Sequence, residues 1–242
     1  LTDEGKYRSM NQDYIYASTV PVGSLDNLFM VADGMGGHQA GDYASRFAVE
    51  NLVGYFGIKT PEKDVHGILR DGIRQMNREL YYRASHDPEL SGMGSTLVAA
   101  TIKGNVLYVA NIGDSRLYLL RRELEQVTRD HSYVEELVAR GKMKRGSRSY
   151  LEHKNIITRA VGTAETVETD LFALKLKPGD QILMCSDGLS NMVDEFEIEY
   201  IIRSEGSLKC KVEDLVKAAN RGGVKDNISV ILIEPQIREV SL

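Results

Sequence analysis

The chain has 242 residues, 42% of them hydrophobic, with 30 basic and 35 acidic side chains and a net charge of -5. This length suits one large domain with a full core, and the acidic balance argues against a nucleic-acid binder. Cys185 and Cys210, the only cysteines, are too few for a disulfide scaffold and point to a reducing, cytoplasmic compartment; there is also no run of 18 uncharged apolar residues to span a membrane.

In chain order, Tyr14–Thr19 alternates as a strand, and Asn27–Ala32 is a short apolar run ending at Asp33-Gly34. Ala40–Phe56 reads as a helix, with Ala44, Phe47, Ala48, Leu52, Tyr55 and Phe56 at three- and four-residue spacing. A second helix is expected from Thr60-Pro61, where Thr can cap and Pro suits the first turn, to about Ser85. The period then shortens to that of strands at Ser95–Ile102, Val106–Ile112 and Arg116–Leu120, the first two joined by a tight turn at Lys103-Gly-Asn105. Glu125–Thr128 is a candidate fourth strand. His131–Arg140 reads as a helical fragment, and 141–155 as a polar, irregular segment rich in Lys and Arg. Strands return at Thr169–Leu176 and Gln181–Cys185, helices at Asp194–Ser204 and Lys211–Asn220, and a last strand at Ile228–Glu234. Consecutive strands with helices grouped in pairs predict an α+β fold, with two packed antiparallel sheets and helices outside. Tyr81 and Tyr82 are expected to pack between layers.

Five aspartates follow or flank the apolar runs: Asp13, Asp33, Asp114, Asp187 and Asp226. Each one alone reads as a turn residue. Together they describe carboxylates at strand ends, gathered at one edge of a sheet. Charges are expensive there unless a cation meets them. Oxygen-only donors suit Mg²⁺ or Mn²⁺, and the five histidines show no zinc spacing. Two such ions about 3.5–4 Å apart can activate a bridging water for in-line attack on phosphorus. Glycines 34, 36 and 37 allow a backbone carbonyl to approach an ion.

Seven segments carry a family resemblance: Arg8-x-x-Asn-Gln-Asp13, Asp33-Gly-Met-Gly-Gly-His38, Gly94-Ser-Thr96, Asn111-Ile-Gly-Asp-Ser-Arg116, Ile157-Thr-Arg-Ala-Val-Gly162, Cys185-Ser-Asp-Gly-Leu189 and Asp226-Asn-Ile-Ser229. In this order the sequence resembles the metal-dependent serine/threonine protein phosphatases of type 2C (PPM), bacterial branch, over nearly its whole length. The resemblance implies a four-layer α-β-β-α sandwich forming a single catalytic domain over 1–242, with a mobile flap at about 131–159. It implies hydrolysis of phosphoserine and phosphothreonine by metal-activated water without a phosphoenzyme, in a monomer that opposes a bacterial Ser/Thr kinase. By the same resemblance, Asp33 bridges two Mn²⁺ or Mg²⁺ ions, Asp187 and Asp226 complete one shell, and the Gly34 carbonyl serves the second ion. Asp114 with Asp187 matches a weaker third site. Asp13 orients water, and Arg8 grips the substrate phosphate with a planar fork. Met35 stands where some members carry a His, which leaves His38 or water as the candidate general acid.

Overall fold

The structure, a computed structural model, describes residues 1–37, 40–58 and 64–237. In chain order, β1 (Thr2–Asp3), β2 (Asp13–Ser18) and β3 (Leu28–Met35) lead into helices α1 (Ala40–Gly57) and α2 (Val65–His86). Then come β4 (Gly94–Ser95), β5 (Leu97–Lys103), β6 (Val106–Ile112), β7 (Arg116–Leu120) and β8 (Leu124–Gln126). Short helices α3 (Tyr133–Ala139) and α4 (Arg148–His153) precede β9 (Asp170–Lys175) and β10 (Gln181–Cys185). The last described elements are α5 (Asp187–Ser190), α6 (Glu195–Arg203), α7 (Leu208–Arg221) and β11 (Ile228–Ile233).

The strands form two antiparallel sheets, ordered β1-β11-β10-β7-β8 and β2-β3-β5-β6-β9, with β4 beside β3. The period of two sorts side chains between layers. In β3, Phe29 and Val31 enter the core between the sheets, while Leu28, Met30 and Ala32 face α1 and α2. In β10, Ile182 and Met184 enter the same inter-sheet core, while Leu183 and Cys185 face α6 and α7. Both faces are covered, so strands such as β5 are apolar without alternation, buried from Leu97 to Ile102. The α+β four-layer sandwich is therefore as expected.

Four local readings need correction. The strand expected from Ser95 to Ile102 is split at Thr96, whose N–H donates to the Asp33 carbonyl at 2.8 Å. The start predicted for the second helix at Thr60-Pro61 lies outside the described residues; α2 is capped by Asp64, which accepts the Gly67 N–H at 2.6 Å. The segment expected to be irregular contains α4, capped by the Ser147 hydroxyl. Tyr82 is 63% exposed and stacks on His86 of its own helix instead of packing between layers.

Candidate metal centre

At one end of the sandwich the inter-sheet layer changes from hydrocarbon to oxygen. The face of β3 that carries Phe29 and Val31 continues to Asp33, and the face of β6 that carries Leu107 and Val109 continues to Asn111. Asp13 opens β2 directly opposite Asp33. Asp114 sits where the chain crosses from β6 in one sheet to β7 in the other. Asp187 begins α5 immediately beyond β10, and Asp226 lies just before β11. The five aspartates thus meet at the mouth between two sheets and not at the edge of one. None of them is the last residue of a strand: Asp13 starts one, Asp33 lies within one, Asp187 starts a helix, and Asp114 and Asp226 lie between elements. The two halves come together here, because the Asp33 and Asp187 carboxyl groups act on each other's charge.

Each group is held by its neighbours. The Ser186 hydroxyl donates to Asp13 Oδ2 at 2.7 Å, and Asp13 Oδ1 is buried without a partner. The Asp33 N–H donates to Thr96 Oγ1 at 2.9 Å. Asn191 Nδ2 donates to Asp187 Oδ2 at 2.9 Å, again leaving a buried, unpartnered Oδ1. Arg8 Nη2 donates to Asp226 Oδ2 at 2.9 Å, and both side chains are half-exposed. Gly34 has no room for a side chain, since a Cβ would stand 2.0 Å from the Gly41 carbonyl oxygen in the first turn of α1. Its N–H donates to the Gln12 carbonyl at 3.0 Å.

Crowding of like charges in a buried place raises the carboxyl pKa values. Burial, opposed by the Ser186 and Ser229 hydrogen bonds and aided by the Asp187 and Asp226 charges, pushes Asp13 up to about 7. Burial and then Asp187 and Asp130 push Asp114 up to about 8. Burial and then Asp226 push Asp187 up to about 6. Asp33 is raised well above the usual range by burial and then by Asp13, Asp187, Asp114 and Asp226. The Arg8 guanidinium is held more firmly protonated, first by its Asp226 hydrogen bond and further by the charges of Asp33 and Asp187.

Beside this cluster a cleft of about 140 Å³ is lined by Asp114, Asp187, Arg116, Lys154, Asn191 and Ser132. Arg116 is committed elsewhere, with Nε and Nη2 donating to Asp130 and Nη1 donating to the Tyr118 hydroxyl at 2.8 Å. Among the described residues no three acidic, histidine or cysteine side chains already converge on a common ligating point. The donor chemistry nonetheless fits hard divalent cations. Every candidate ligand atom is oxygen, two buried carboxylate oxygens lack partners, and the close Gly34–Gly41 approach fixes the backbone. His38 lies outside the described residues.

Ser186, Thr96 and Asn191, which hold the aspartates, and Asn227, which holds the segment before Asp13, are not singled out by the sequence as site residues. Asn227 Oδ1 accepts the Gln12 N–H at 2.8 Å, and its Nδ2 donates to the carbonyls of Glu4 and Met10. Three of them lie inside the quoted motifs; Ser186 and Asn227 adjoin an Asp there, whereas Thr96 has no acidic neighbour in the sequence and is brought to Asp33 only by the fold.

Carboxylates from two packed sheets, without a nitrogen or sulfur donor among them, make a donor set of the kind that suits hard divalent cations. Residues 6–229 match the family described as protein phosphatase 2C. The chain is 39% identical to the serine/threonine phosphatase stp of Listeria monocytogenes, over 98% of this chain and 95% of that one. Its fold matches serine/threonine phosphatase Stp1 from Staphylococcus aureus with a TM-score of 0.89 at 33% identity, covering 98% and 93% of the two chains. It also matches the catalytic domain of the serine/threonine protein phosphatase PstP, solved with two manganese ions, with a TM-score of 0.83 at 35% identity and coverage of 96% and 94%. The chain belongs to the protein phosphatase 2C family and is a protein-serine/threonine phosphatase.

Proposed function

We propose that residues 1–242 form one catalytic domain that removes phosphate from phosphoserine and phosphothreonine in proteins, using two Mn²⁺ or Mg²⁺ ions and a weaker third. The observation that supports this most directly is the set of crowded, buried or partly buried carboxyls between the two sheets, Asp13, Asp33, Asp114 and Asp187, whose mutual repulsion calls for cations. Asp33, Asp187, Asp226 and the Gly34 carbonyl would hold the two ions, and Asp114 with Asp187 the third. When bound, such ions supply an activated water at neutral pH and neutralise charge on the phosphoryl group.

The protein's own residues do the rest. Asp13, fixed through Oδ2 by Ser186, presents its free Oδ1 to orient solvent. Arg8 is anchored by Nε to the Lys225 carbonyl at 3.1 Å and by Nη2 to Asp226, which aims its half-exposed fork at an incoming phosphate. His38 or solvent gives the proton to the leaving serine or threonine oxygen. A phosphoenzyme is not expected, because the sequence has no Cys-x5-Arg loop or similar nucleophile signature; Cys185, beside the site, is fully buried and its thiol is pushed up to about 12 by burial. The protein would act as a monomer in the cytoplasm, against a bacterial Ser/Thr kinase. No helix among the described residues is long and apolar enough to cross a membrane.

The test is phosphate release from a phosphothreonine peptide with Mn²⁺, with Mg²⁺ and with EDTA, alongside Asp187→Asn. Turnover with either ion that is lost in EDTA and in the variant is expected. Full activity of Asp187→Asn would remove Asp187 from the metal site.

A further inference from the structure

Residues 131–159 form a small subdomain with its own internal ties. Its neck is closed by hydrogen bonds from the Tyr133 N–H to the Ile156 carbonyl and from the Thr158 N–H to the His131 carbonyl, both 2.8 Å. Inside it, Arg145 Nη2 donates to Glu135 Oε2 at 2.6 Å and the Tyr150 hydroxyl to Glu135 Oε1 at 2.7 Å, which ties α3 to α4. Its apolar anchoring is slight: Val134 of α3 is buried, whereas Tyr133, Leu151 and Ile156 are all exposed. Among the described residues, the hydrogen bonds that residues 133–156 make to the body of the protein both run to Asn191. Lys154 Nζ donates to the Asn191 carbonyl at 3.4 Å, and Asn191 Nδ2 donates to Asn155 Oδ1 at 3.3 Å.

The same Nδ2 donates to Asp187 Oδ2 at 2.9 Å. A primary amide has two N–H bonds. Here one is committed to a carboxylate of the metal centre and the other to the flap. The Asn191 backbone is fixed as well, since its N–H donates to the Asp187 carbonyl at 2.8 Å at the end of α5. The side chain therefore cannot follow the flap without releasing Asp187, nor follow Asp187 without releasing the flap. Lys154 adds a cation to the cleft that Asp114 and Asp187 line.

We propose that Asn191 is a positioning residue that couples flap docking to cation binding at Asp187. It turns Asp187 so that Oδ1 faces the site, and it docks the flap through the second half of the same amide. Ion binding at Asp187 and docking of the flap then favour each other by the same factor, because coupling between two sites is reciprocal. This inference rests on the assignment of Asp187 as a metal ligand made above.

The flap supplies its own reporter, because Arg140, Lys142, Lys144 and Arg145 are trypsin sites. The experiment pairs limited trypsin digestion, with and without Mn²⁺, with Mn²⁺ titration by calorimetry, on the full chain and on Asn191→Ala, Asn155→Ala and Lys154→Met. In the parent, saturating Mn²⁺ is expected to slow flap cleavage by about fivefold or more. Asn155→Ala removes only the flap-side bond, so it should abolish that protection and, by the same reciprocity, weaken Mn²⁺ binding by about the same fivefold. Asn191→Ala should abolish the protection and also weaken Mn²⁺ binding by about tenfold, the usual range for losing a residue that orients a ligand. Lys154→Met removes a competing charge and should tighten the weakest Mn²⁺ step. Flap protection that responds to Mn²⁺ equally in the parent and in Asn191→Ala would overturn the coupling. So would a parent whose cleavage ignores Mn²⁺ although calorimetry shows binding. Absence of Mn²⁺ binding in the parent would instead overturn the metal assignment on which the inference stands.

Discussion

Asp13 and Asp33 are directly opposed across β2 and β3, a like-charge cross-strand pair that destabilises a sheet unless the charges are used. The pH dependence follows from their raised pKa values. Without metal, the folded protein keeps protons on Asp13 up to about pH 7, on Asp187 to about 6 and on Asp114 to about 8, whereas the unfolded chain releases them near 3.8. Between these limits the native state binds more protons, so stability must fall as pH rises, by about 1.4 kcal/mol per pH unit for each proton held. The EDTA-treated protein is therefore expected to melt several degrees lower at pH 8 than at pH 5.5. Asp13→Asn should flatten that slope and raise the Tm at pH 8 while lowering turnover. A pH-independent Tm in calorimetry would contradict the crowding of these carboxyls. Arg8 belongs to the same scale. Removing its fork should raise KM for a phosphopeptide about tenfold or more with a smaller loss in kcat, and an unaltered KM for Arg8→Ala would place the guanidinium away from the phosphate.

Among the elements, α5 is only four residues long, yet it sets the distance between two of the carboxylates. Gly188, its second residue, packs so tightly that a Cβ would stand 1.9 Å from the Asn227 carbonyl oxygen, beside Asp226. Gly188→Ala is expected to force α5 away from the start of β11, lowering stability by about 1–3 kcal/mol as an overpacked site and weakening Mn²⁺ binding with it. An unchanged melting curve and titration would show that the helix can shift freely. No periodicity announced α5, because one helical turn carries none; the chemistry of Ser186-Asp187-Gly188 was legible while its geometry was not. The same limit applied elsewhere. Val106–Ile112, Arg116–Leu120 and Gln181–Cys185 were legible to the residue because polar or turn residues bound them. Asp33 read as the end of a strand, but β3 runs on to Met35 since β4 pairs with it from the other side, a long-range event that local sequence does not encode. The Lys and Arg residues of 140–148 read only as bordering or belonging to a polar, irregular segment. Their acidic partners Glu136, Glu135 and Glu152, which offset Arg140, Arg145 and Arg148, are close only once α3 and α4 form.

Taken as a whole, the molecule places half of its site on each sheet. Asp13 and Asp33 belong to the β2-β3-β5-β6-β9 sheet, while Asp187 and Asp226 flank strands of the other. The register between these halves is set by the core between the sheets, where Val31, Val98 and Val109 meet Leu117, Met184 and Ile231. A close-packed core of this kind does not slide, so neither sheet keeps its half of the site in place alone. Unfolding should then be a single cooperative transition, and cations that bind only the assembled site must raise its midpoint. At 100 times the dissociation constant the gain is about 2.7 kcal/mol, or roughly 5–10 °C for a chain of this size at about 2–4 °C per kcal/mol. Asp33→Asn separates the two contributions. Losing one of the crowded charges should raise the melting temperature in EDTA, while the increment from Mn²⁺ should largely vanish because both ions are assigned to that carboxylate. Scanning calorimetry of parent and variant, each with EDTA and with Mn²⁺, reads all four states. Two resolved transitions in the parent would mean that the sheets unfold separately, and an intact Mn²⁺ increment in Asp33→Asn would mean that the ions are held elsewhere.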